Sequence, residues 1–194
     1  MPVATRPLNT PARTRVAEAA MAILQATPAG QLGITVMNKA LFYADLCALR
    51  NLGETITRVG YFALPQGPVL NHYERSLVKL LERLGLAEQT MDGWEKPLVA
   101  RRRADPFELI TDEEVGIAQL VSRRVHGKSA AWVSDYSHEN EAWISAFRAG
   151  TGTSINMISA LQQVIEDDPW VDEPADAEVT RVLNRASADD GVPF

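Results

Sequence analysis

The chain has 194 residues, 46% of them hydrophobic, with a net charge of −6 and a single cysteine. Such a composition supports one globular core and excludes an intrinsically disordered chain, while Cys47 has no partner for an internal disulfide. Residues 1–10 hold arginine and prolines but no continuous apolar run, so neither a secretory signal nor a membrane span is expected, and the expected compartment is the reducing cytoplasm.

The first element is a helix over 12–26, introduced by Thr10-Pro11, with Val16, Ala19, Ala20, Ile23 and Leu24 as its apolar stripe and Thr27-Pro28 at its end. A second helix follows, in which Met37, Leu41, Ala44, Ala48 and Leu52 recur at helical spacing, Phe42, Leu46 and Leu49 widen the face, and Gly53 is the stop. Cys47 reads as a buried small hydrophobe within it. Asp45 interrupts the same apolar helix; it is read as lying on the solvent side or pairing with Lys39 or Arg50, in preference to a functional role. The run 60–64 reads as a short buried strand, and Pro65-Gln-Gly-Pro68 forces a sharp turn, with two fixed φ angles around a permissive glycine.

Leu70, Tyr73, Leu77, Leu80, Leu81 and Leu84 then predict a helix over 70–84 that ends at Gly85. Segments 86–91 and 96–102 flank Asp92-Gly93, both of which tolerate positive φ, so a β-hairpin is expected there. Thr111 and Glu114 form a capping box before Val115, Ala118, Val121, Ser122 and Val125, and Ser129 caps another helix through Tyr136. A last stripe comprises Ile155, Ile158, Leu161, Val164 and Ile165. Beyond it, Pro169 and Pro174 bracket Trp170 in a linker, and 175–185 reads as a short helix with Val179, Val182 and Leu183 on one side. Segment 166–194 holds nine acids against Arg181 and Arg185, which leaves the rest of the chain close to neutral.

The expected fold is therefore α+β and predominantly α-helical, with a short β-hairpin or small antiparallel sheet. The order helix, strand, helix, hairpin also fits a winged-helix-like element, with 70–84 as recognition helix and Arg101, Arg102 and Arg103 at the wing. Leucines that the core needs, and arginines that commonly guard a strand edge, make DNA binding the minority reading.

No catalytic constellation is found. His72, His126 and His138 lack metal-ligand spacing, Ser134-Asp-Tyr-Ser-His138 would diverge around one helix, and Gly150-Thr-Gly152 is not a phosphate loop. His138 is read as fixing its helix end by hydrogen bonding, with Trp143 packed over it. The chain is expected not to be an enzyme and to need no cofactor or metal.

Two blocks carry a family resemblance. Lys39-Ala-Leu-Phe-Tyr-Ala-Asp45 followed by Ala63-Leu-Pro-Gln-Gly-Pro-Val69, and Thr111-Asp-Glu-Glu114 followed by Ala130-Ala-Trp-Val-Ser-Asp-Tyr-Ser-His138 and Glu141-Ala-Trp143, resemble the Panacea, or SocA-like antitoxin, family. Val133 stands where that family usually has leucine. The resemblance covers 33–147, which divides the chain into an N-terminal helix and arm (1–32), the Panacea domain (33–147) and a C-terminal helix with an acidic extension (148–194).

This resemblance implies an antitoxin that neutralises a cognate protein toxin, by direct binding or by presenting it to an ATP-dependent protease, with the unmatched ends as candidate specificity elements. A membrane or nucleic-acid partner is not implied. The rival reading is a prophage-associated DNA-binding regulator. Tyr43, Asp45, Tyr61, Gln66 and His72 cluster in the signature as candidate partner-binding residues, aromatic groups rimming a polar turn, with ordinary core as the alternative. Lys39, Gly67, Pro68, His138 and Trp143 are its structural residues.

Overall fold

The computed structural model describes residues 14–91 and 96–161. Helix α1 (Arg15–Ala26) is capped by Thr14, whose hydroxyl accepts the Ala17 N–H at 3.2 Å. The start expected at Thr10-Pro11 is thus corrected to Thr14, and those two residues lie outside the described chain. Every residue from Val16 to Leu24 is buried, because α1 is alanine-rich and lets its neighbours approach on all sides. Its one internal acid, Glu18, stays dry by accepting the N–H groups of Glu108, Leu109 and Ile110. The buried residues of α1 belong to the same hydrophobic core as those of the later helices Ile34–Leu52 and Asp112–Val125.

Strand β1 (Gln31–Gly33) leads into α2 (Ile34–Leu52), which ends as its sequence predicts, with Gly53 at φ 81° and its N–H donating to Leu49 O at 3.1 Å. Strands β2 (Tyr61–Leu64) and β3 (Gly67–Leu70) form an antiparallel hairpin around the two-residue turn Pro65-Gln66, with Leu64 opposite Gly67. A further extended stretch lies along β2: Ala63 N–H donates to Thr153 O, Gly152 N–H to Ala63 O and Ile155 N–H to Tyr61 O.

The helix expected over 70–84 is not continuous. Leu70 is the last residue of β3, held there because its N–H donates to the Asn38 side chain at 3.0 Å. His72 then adopts φ 54°, and only after it come a wide π-helical turn (Glu74–Val78) and the short α3 (Lys79–Arg83). Leu77, Leu80 and Leu81 still reach the core.

Strands β4 (Ala87–Gln89) and β5 (Pro97–Ala100) pair as expected, although the Asp92-Gly93 turn itself lies outside the described residues. β1 joins β5 to give a three-stranded sheet in the order β1-β5-β4. Arg101 to Arg103 follow on the exposed side, where Arg101 pairs with Glu88 and Arg102 donates to Leu84 O.

Helix α4 (Asp112–Val125) opens with the Thr111–Glu114 capping box, and α5 (Ala130–His138) with Ser129. α6 (Glu141–Ala149) is capped by Asn140. α1 and α2 both pack on α4, and α5 and the β2–β3 hairpin close over α2. In the last stripe Ile155 is buried and Ile158 is 58% exposed; Val164, Ile165 and the 175–185 helix lie outside the described residues.

Candidate functional site

The signature residues of α2 point inward, and two of them, Lys39 and Asp45, are of charged type. Asp45 is fully buried: one oxygen accepts the Thr57 N–H at 2.9 Å, and the other accepts the Thr57 hydroxyl and the Tyr61 hydroxyl, the latter at 2.8 Å. Neither the solvent-side position nor the pairing with Lys39 or Arg50 read from the sequence is found. Burial raises its pKa to about 6, with the Thr57 and Tyr61 hydrogen bonds pulling the other way. Burial and the Asp45 charge drive the Tyr61 phenol well above its usual pKa, so it remains a donor. This knot ties α2 to the start of β2.

Lys39, six residues earlier, has no such support. Its side chain is 0% exposed, and its ammonium makes no hydrogen bond. Burial lowers its pKa to about 8. The terminus lies under the hairpin turn: a Cβ on Gly67 would overlap the Ser137 hydroxyl and stand 2.9 Å from Lys39 Cε. Gly67 also has φ 96°, so both its space and its backbone demand glycine. Pro68 beside it is buried.

His138, the last residue of α5, completes the junction. Its ring stacks on Trp143 at 4.2 Å, Trp143 stacks on Phe147 at 4.9 Å, and the Trp143 indole N–H donates to Leu64 O at 3.3 Å. Burial and the nearby Lys39 charge lower the His138 pKa, against Asp135 and a hydrogen bond with the Pro65 backbone. Its Nε2 is buried without a hydrogen bond. The expected packing of Trp143 over His138 is present, and the two residues clamp the hairpin turn onto α5.

A cleft of about 290 Å³ opens between the first turns of α2 and the hairpin, with Thr35, Lys39, Leu64, Gln66, Val69 and Tyr73 in its wall. Gln66 is exposed at its mouth, and the Thr35 hydroxyl donates to Gln66 Oε1 at 3.5 Å.

The five candidate partner-binding residues separate. Tyr43, Asp45 and Tyr61 are interior, Tyr43 at 5% exposure, and therefore do not rim a surface patch; Gln66 and His72 are exposed. His72 serves the chain through its carbonyl, which accepts from Arg75, Ser76 N–H and the Ser76 hydroxyl. Sequence reasoning did not single out Thr57, Ser137 or Trp132. Trp132 is 41% exposed, stacks on Tyr136 at 5.5 Å, and carries the Lys128 ammonium 4.7 Å over its ring. On the same helix the Ser134 hydroxyl donates to Gln66 O at 3.1 Å. The signal for Trp132 was its position one residue before Val133, the buried side of α5.

A mainly helical α+β domain, with a hairpin pinned to its second helix by buried polar residues, is the class that fold and site define. The chain belongs to the family described as antitoxin SocA-like, Panacea domain, whose model matches residues 37–144. No curated protein and no solved structure matches it. The family supports an antitoxin type of protein, with a toxin as the general kind of partner. Among the described residues no helix is long and apolar enough to cross a membrane.

Proposed function

We propose that this protein neutralises a cognate protein toxin in the cytoplasm by binding it directly, without turning over a substrate. Membership of the antitoxin family is the observation that carries this reading. The geometry supports it with a preorganised face. Exposed Trp132 stacks on half-buried Tyr136 on α5, with Lys128 from the preceding loop over the Trp132 ring, and the same helix holds the Gln66 turn through Ser134. A rigid, partly exposed tryptophan supported from below is the type of group that anchors protein interfaces, because it buries a large area at small entropic cost.

The experiment is co-expression with the adjacent gene. A growth-inhibiting neighbour should be rescued by this protein and should co-purify with it. Rescue that requires an intact ATP-dependent protease selects the adaptor mechanism instead. A harmless neighbour, or one that remains lethal despite co-expression, refutes the antitoxin assignment.

A further inference from the structure

We propose that the cleft between α2 and the β2–β3 hairpin is a carboxylate-binding site, with the Lys39 ammonium as its anchoring charge. The inference is independent of the toxin reading and starts from an unbalanced charge. Lys39 is fully buried, its ammonium has no hydrogen-bond partner, and no ion pair to it exists among the described residues. Folded proteins rarely leave an ammonium in this condition, because its desolvation is offset only by a counter-charge and hydrogen bonds.

The fold keeps room for the amine. Gly67 lacks the one atom that would collide with Ser137 and crowd Lys39 Cε, and its φ of 96° turns the backbone away. Lys39 forms part of the wall of the 290 Å³ cleft, which brings the buried charge next to a space of ligand size.

The lining selects the ligand. Its side chains include no carboxylate, so nothing within the cleft competes for the ammonium. Leu64, Val69 and Tyr73 offer apolar surface to a short hydrocarbon stem, and Thr35 and Gln66 offer hydrogen bonds. One buried cation matches a monoanion; a phosphate dianion would bring a second, uncompensated charge into the same low-dielectric space. Gln66 is the side chain that gives way on entry, since it is exposed and held to Thr35 only by the 3.5 Å bond. The carboxylate can arrive on a free small acid or on an acidic side chain of a bound polypeptide.

The test is a titration of the ¹⁵N-labelled full chain with sodium acetate, butyrate and N-acetylglutamate amide, against chloride and phosphate at matched ionic strength. Saturable shifts at Thr35, Lys39, Gln66 and Gly67 with the carboxylates, absent with chloride, are expected. Lys39→Met should weaken binding at least tenfold and, without ligand, melt no lower than the parent, because it removes an uncompensated charge. Binding of the capped glutamate alone identifies an acidic side chain as the source; binding of the free acids alone identifies a small metabolite. No saturable shift with any carboxylate overturns the proposal. So does tighter binding of phosphate, or a marked loss of stability in Lys39→Met, which would mean that the amine is already satisfied within the fold.

Discussion

The buried carboxylate of Asp45 decides between two opposed effects, and its pH dependence reveals which one wins. Desolvation raises its pKa, whereas donors from Thr57 and Tyr61 lower it; desolvation prevails, and the value moves from 3.8 to about 6. A carboxyl with a raised native pKa holds its proton where the unfolded chain has already released it. Its contribution to stability is therefore present at low pH and is lost as pH rises from 3.8 through 6. The full swing is on the order of 3 kcal/mol, and about half of it falls between pH 5 and pH 7.5. Asp45→Asn keeps the shape and the acceptor for Thr57 N–H but cannot titrate. Urea unfolding of parent and variant across that range should show the parent losing ground to Asp45→Asn by that amount as pH rises. A flat difference, or a parent that gains on the variant with pH, would show that the three hydrogen bonds outweigh desolvation, and the argument would fail.

Tyr61→Phe keeps the edge-to-face contact with Phe42 at 5.2 Å but removes a donor to a buried carboxylate. At pH 7.5 it should cost about 1.5–3 kcal/mol in urea unfolding, and less at pH 5, where Asp45 is mostly protonated. Gly67→Ala meets both Ser137 and a φ of 96°, so a loss of at least ~2 kcal/mol is expected in thermal melts, and an unchanged midpoint would disprove the close approach. Glu18→Gln weakens the clasp on the 108–110 backbone; about 1–3 kcal/mol should be lost, with amide exchange accelerating first at those three residues. Trp132→Ala should leave stability within roughly 1 kcal/mol while toxin capture in pull-downs falls at least tenfold, and full capture by the variant would remove α5 from the interface.

Elements governed by neighbours in sequence were legible. α2 follows from apolar spacing with a glycine stop, α4 and α5 from their caps, and β4 and β5 from the Asp-Gly turn between them. What failed was set by distant partners. Leucines spaced by three and four at 70–84 satisfy a helical pattern equally well after a strand, and it is the pairing with Tyr61 together with the Asn38 side chain, 32 residues away, that keeps Leu70 extended. β1 has three residues, too few to show alternation. α1 is alanine-rich, and alanine marks no face, so its burial on all sides was invisible. Neither a solvent-side position nor a pairing with Lys39 or Arg50 describes Asp45, because periodicity reports which side a residue occupies, not what waits there; Thr57 and Tyr61 lie 12 and 16 residues on.

The site was half legible for the same reason. The matched motifs identified Lys39, Asp45, Gly67, Pro68, His138 and Trp143 as residues belonging together, and the structure gathers them around one hairpin. It puts them inside. Asp45 fixes the start of β2, Gly67 and Pro68 open β3 directly after the turn, and Trp143 with His138 holds the turn to α5. A motif of this kind specifies how the hairpin sits on the helices, and it is compatible with many different surfaces. Selectivity for a partner then has to come from exposed groups on that frame, of which Trp132 and Gln66 are the two that the frame holds most directly. Exchanging those side chains should change which toxin is bound while leaving the fold intact, whereas exchanging the motif residues should change stability first. A motif substitution that altered partner choice at unchanged stability would contradict this division, with one allowed exception: Lys39, which forms part of the cleft wall and whose buried ammonium has no hydrogen-bond partner.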